Sequence, residues 1–93
     1  MSVTVKIPTP LRKLTNGETS VTVEGVTVGA IVDSLQAAYP GIQERLIDDQ
    51  GDLRHFVNIY LDGEDVRYLD GLNSAVRDNA ELSIVPAVAG GTT

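Results

Sequence analysis

Apolar and polar residues alternate from the start of the chain. Val3-Thr4-Val5-Lys6-Ile7 predicts a half-buried strand with Val3, Val5 and Ile7 inward and Thr4 and Lys6 outward. Pro8 and Pro10 end the pairing or confine it to an edge. A long connection through Leu11–Leu14 then reaches Asn16-Gly17, a strong turn dipeptide. Alternation resumes over Thr19–Glu24 with Val21 and Val23 inward, so the two runs predict a hairpin with an elaborate loop, closed by Gly25. Next the period lengthens. Val28, Ile31, Val32, Leu35, Ala38 and Tyr39 recur at helical spacing, with Asp33, Ser34 and Gln36 on the other side. Thr27 is placed to cap this helix and Pro40-Gly41 to stop it. Ile42–Ile47 predicts one further short turn, with Ile42 and Leu46 tucked under the sheet.

Asp48-Asp49-Gln50-Gly51-Asp52 reads as a solvated turn. Its carboxylates alternate, but the spacing does not fit a calcium loop and no helix pair frames it, so no metal site is expected there. Leu53–Leu61 predicts a central strand, with Val57, Ile59 and Leu61 on one face and Phe56, Asn58 and Tyr60 on the other. Asp62-Gly63 predicts a tight hairpin into a short strand around Asp65-Val66-Arg67. Leu69–Val76 reads as irregular with one helical turn, packing Leu72 and Val76. After a turn at Asp78-Asn79, Leu82–Val85 forms the last strand with Leu82 and Ile84 inward. This order predicts an α+β fold of the β-grasp, or ubiquitin-like, kind. A mixed sheet carries one main helix across one face, and the last strand pairs with the first in the middle. Residues 1–86 are expected to form this domain and 87–93 a flexible tail.

Composition narrows the function. At 93 residues the chain is one domain, and 42% apolar with 22% charged residues is ordinary for a folded one. No apolar run reaches the ~20 residues of a membrane span and no basic-then-apolar leader opens the chain, so a cytoplasmic protein without membrane partners is expected. A net charge of −6 repels phosphate backbones, which argues against nucleic acid and for a partner with a basic or apolar docking surface. There is no cysteine, hence no disulfide, thiolate metal site or cysteine nucleophile. His55 is the only histidine, and Ser34, Ser74 and Ser83 stand in no catalytic motif. No phosphate-binding glycine loop is present, since Gly90-Gly91 precedes no helix. No enzyme activity of its own and no bound cofactor are expected.

Two features remain. By parity, Phe56, Tyr60 and Val85 lie on the sheet face that a single helix leaves uncovered, and form a candidate docking patch for a partner. The last strand then runs through Pro86-Ala87-Val88-Ala89 into Gly90-Gly91, with Thr92-Thr93 beyond. Ala89 and Gly90 make a thin arm suited to threading a narrow channel.

The opening Val-Thr-Val-Lys-Ile-Pro-Thr, the segments Tyr39–Leu46 and Phe56–Tyr60, and the ending Ile84–Gly91 resemble the prokaryotic ubiquitin-like sulfur carriers. These are the ThiS and MoaD kind and, most closely, the CysO-type carriers of cysteine biosynthesis. The resemblance spans nearly the whole chain. It implies that Gly91 is the site of adenylation by an E1-like enzyme using ATP, followed by conversion to a thiocarboxylate. It further implies a sulfur-accepting synthase as partner and a metalloprotease of the JAMM type. Carriers of this kind act with Gly-Gly at the very end, so Thr92-Thr93 departs from the pattern and predicts a cut between Gly91 and Thr92. A ubiquitin-like protein modifier, the MoaD-like small subunit of molybdopterin synthase, and an interaction module with an inert tail are the alternatives.

Overall fold

Five strands form one mixed sheet in the computed structural model, which describes residues 2–55 and 57–86. They are β1 (Ser2–Lys6), β2 (Ser20–Glu24), β3 (Val57–Leu61), β4 (Glu64–Asp65) and β5 (Ala80–Pro86), in the spatial order β2-β1-β5-β3-β4. β5 is the middle strand, parallel to β1 and antiparallel to β3. It is the longest of the five, and its alternation of Ala80, Leu82 and Ile84 inward with Glu81, Ser83 and Val85 outward is unbroken. The flanking edges are polar: β4 is only Glu-Asp, and β2 turns Ser20, Thr22 and Glu24 outward. Short or polar edges discourage pairing with another chain.

The inner face is covered by α1 (Val28–Ala38) and α2 (Ile42–Leu46). α1 buries Val28, Ile31, Val32 and Leu35 against the sheet, and α2 buries Ile42 and Leu46 completely. Thr27 caps α1, its side-chain oxygen accepting from the Ala30 N–H at 3.1 Å. Thr27→Ala is therefore expected to cost about 1 kcal/mol, read as a lower urea midpoint with an unchanged slope. Gly25 lets β2 turn directly onto α1, because a Cβ there would stand 2.9 Å from the Ile31 side chain and 3.0 Å from its backbone nitrogen. The Asp62-Gly63 hairpin has φ of 50° and 93°, the left-handed pair that a tight turn between twisted strands requires.

The β-grasp arrangement predicted by the pattern of elements is present, with four local differences. The last strand lies in the middle beside the first, as expected, so the Leu53–Leu61 run read as central stands one place off it, on the antiparallel side of β5, while β1 takes the parallel side. β3 begins at Val57, since Leu53 is drawn off into an isolated bridge with Ile47 and the Arg54 N–H donates to the Leu46 carbonyl. Val66 is fully buried at the start of a 3-10 turn, Val66–Tyr68, and so leaves β4 with two residues. Ala38, on the predicted apolar stripe, is exposed because it lies in the last turn of α1, beyond the sheet.

The connection over 8–16 is also more regular than its prolines suggest. Thr9–Thr15 is a 3-10 helix with proline in its first turn and Asn16 left-handed at its end. Leu11 enters the core, and the buried Thr15 hydroxyl lies within hydrogen-bonding distance of the Arg12 and Glu18 carbonyls, at 3.2 and 3.0 Å.

Candidate functional site

Because both helices lie on one side, the outer face of the sheet stays open toward the strand that leads to the C-terminus. Register places its side chains. Asn58 on β3 stands opposite Val85 on β5, and Tyr60 stands opposite Ser83 on one side and Asp65 on the other. Directly opposed residues point to the same face, so Tyr60 and Val85 are diagonal neighbours on it. Val85 is 40% exposed, high for a valine in a middle strand, while Tyr60 and Asn58 are half-buried. The sequence-predicted docking residues Tyr60 and Val85 thus share one open surface. The third, Phe56, lies outside the described residues, as do Ala89, Gly90, Gly91 and Thr92 of the tail.

Sequence parity did not reveal the polar frame around this surface. Arg67 follows β4, and one arm of its guanidinium donates to the Asn58 side-chain oxygen. The other arm donates to the Arg54 carbonyl, which the Val57 N–H also reaches at 3.1 Å. Arg54 in turn donates from Nε to the Glu44 carbonyl of α2 at 2.8 Å. A chain of contacts therefore runs from α2 through the turn before β3 to the side chain opposite Val85. On the far side of β5, Lys6 lies 3.3 Å from Glu81 as an exposed ion pair, of a kind that contributes little to stability.

A second surface feature is a shallow depression of about 390 Å³ between α2 and the 48–54 loop, lined by Gln43, Glu44, Ile47, Asp48, Asp49, Gly51 and Arg54. The acidic loop there serves its own backbone. The Asp48 carboxylate accepts from the Gln50 N–H at 2.9 Å and the Asp52 N–H at 3.1 Å. These bonds, that of Asp52 first, hold it below the ordinary carboxylate range. The folded value being depressed, the loop's contribution is present above the unfolded value and is lost as pH falls through the folded one. Among the described residues no three metal-ligating side chains come together, and no helix is long and apolar enough to cross a membrane.

The sequence profile of the ThiS family matches residues 5–91. Sulfur carrier protein CysO of Mycobacterium tuberculosis is 52% identical over 93 aligned residues, covering 98% of this chain and 100% of that protein. Small archaeal modifier protein 3 of Haloferax volcanii is 41% identical over 68 residues, 73% of either chain. A chain in the crystal structure of the Amycolatopsis orientalis BexX/CysO complex superposes with a TM-score of 0.90 at 47% identity, covering 96% of this chain and 99% of that one.

Proposed function

Because the chain belongs to the ThiS family, we propose that it is a sulfur carrier whose working group is the carboxylate of Gly91, freed by removal of Thr92 and Thr93. The observation that carries this reading is the near-full-length identity to a protein named as a sulfur carrier, together with a family match that ends at Gly91. A carboxylate is a poor electrophile. Its oxygen attacks the α-phosphorus of ATP in the active site of an E1-like enzyme, pyrophosphate leaves, and the carbonyl is joined to AMP. A sulfide-class donor then attacks that carbonyl, AMP departs, and a thiocarboxylate remains. The carrier supplies no catalytic group to either step. It binds through the open sheet face at Tyr60 and Val85 and presents the arm.

The thiocarboxylate sulfur is the nucleophile that a partner synthase delivers to its acceptor, in cysteine biosynthesis or a related sulfur amino acid route. A chain with no cysteine is suited to this, since no side-chain thiol competes for the electrophile. A JAMM-type metalloprotease is the proposed processing partner, and the cytoplasm the proposed compartment. A second reading, conjugation of Gly91 to lysines of other proteins, is favoured by the similarity to a small archaeal modifier protein. One experiment tests the first. The chain ending at Gly91 is incubated with its adenylating enzyme, ATP and sulfide, then trapped with a sulfonyl azide that reacts with thioacids. A label at Gly91 that requires ATP is expected; an unlabelled chain after full ATP turnover contradicts the carrier reading, and lysine-linked conjugates in cells without any label establish the second.

A further inference from the structure

The open sheet face holds a guanidinium without a counter-ion on a protein whose net charge is −6. Lys6 is paired with Glu81, and Arg77 with Asp62, but among the described residues Arg67 has no carboxylate at ion-pair distance. It is nevertheless fixed. Its two terminal nitrogens are committed to the Asn58 side chain and the Arg54 carbonyl, and its own backbone N–H donates to the Asp65 carboxylate at 2.9 Å. Both acceptors of the guanidinium are neutral, so its full charge and remaining N–H groups are left to whatever approaches the exposed side chain. A long flexible side chain normally loses rotamer entropy on being captured. Here folding has already imposed that loss, as in pre-organised binding surfaces.

The position of this charge limits its partner. Asn58 is the register partner of Val85, and Val85 precedes Pro86, the last described residue. Gly91 is five positions beyond Pro86, so their α-carbons are at most about 18 Å apart. A protein that closes around Gly91 therefore extends over this end of the sheet, and Arg67 lies beside it. We infer that Arg67 is a preset anchor for a carboxylate on the adenylating protein that receives the Gly91 tail, set beside the apolar contact at Val85. The inference rests on the adenylation reading proposed above. An anionic side chain is the matching chemistry: it gains a charge-assisted hydrogen bond to an oriented donor.

Calorimetric titration of the full folded chain, ending at Gly91, against its adenylating enzyme tests the inference at low and at physiological salt. Arg67→Gln is expected to weaken binding about tenfold at low salt and to flatten the salt dependence, with Arg67→Glu weaker still. Lys6→Gln removes a charge already paired on the same face and is expected to stay within about twofold, as an uninvolved surface position does. Thermal unfolding of each variant accompanies the titrations. If Arg67→Gln binds within that same margin, the inference is wrong. If it binds less tightly but keeps the native salt dependence while melting earlier, Arg67 is a structural clamp only, and the inference is again overturned. If the native chain itself does not bind, the adenylation reading fails first and the inference falls with it, a result distinguishable because no variant is needed to see it.

Discussion

A chain that stops at Gly91 is expected to drive ATP–pyrophosphate exchange on its adenylating enzyme, while the same chain with Thr92 and Thr93 attached gives no exchange above the enzyme alone. The reason is the state of one carbonyl. With Thr92 in place the Gly91 carbonyl belongs to an amide, and no carboxylate oxygen exists there to attack the α-phosphorus. The free carboxylate has moved two residues on to Thr93, behind two β-branched side chains. β-Branched residues are bulky and stiff at χ1 where glycine presents no side chain. A channel that fits Gly90-Gly91 therefore excludes them. Parallel exchange assays on the two chains decide the matter, and equal exchange from both removes the processing step from the account.

The second large effect is on the fold itself. Leu82 lies in the middle strand, 2% exposed, between Val5 on β1 and Leu61 on β3. Leu82→Ala leaves a cavity at the centre of the sheet and is expected to cost about 2–5 kcal/mol. Domains of this size are stable by roughly 5–15 kcal/mol, so the variant loses much of its margin. The expected result is a urea midpoint lowered by roughly a third at unchanged slope, in proportion to that loss. On the proposed reading the loss extends to partner binding, because β5 carries Val85 and runs to Pro86, the last described residue. Native urea stability in Leu82→Ala contradicts the packing described here.

Much of this architecture is legible in the sequence because its signals are local. Val3, Val5 and Ile7, or Leu82 and Ile84, point inward at a period of two. The stripe from Val28 to Leu35 has the period of a helix, and Asp62-Gly63 marks its turn by conformational need. Tyr60 and Val85 followed from parity alone once one face was known to be covered. What the pattern hides is non-local or competitive. Leu53 is apolar at the right parity for a longer β3, but the chain gives it to a bridge with Ile47. Val66 looks like a strand residue and is instead the buried pivot of a 3-10 turn. Arg67 reaches Asn58 and Arg54, nine and thirteen residues back, through its side chain, and no periodicity encodes such a reach. The glycines at 90 and 91 are plain in the sequence, but their meaning depends on ending this fold and this family match.

The central claim is that Gly91 becomes a sulfur-bearing terminus, and the intact mass of the protein taken from its native host tests it most directly. Under sulfur demand the mass is expected to be lower by two threonine residues and to carry one oxygen-to-sulfur exchange, which fragmentation places at Gly91 and not at Met1, whose oxidation adds nearly the same mass. A protein that still ends in Thr93, with no exchange at Gly91 under sulfur-limited growth, contradicts the claim.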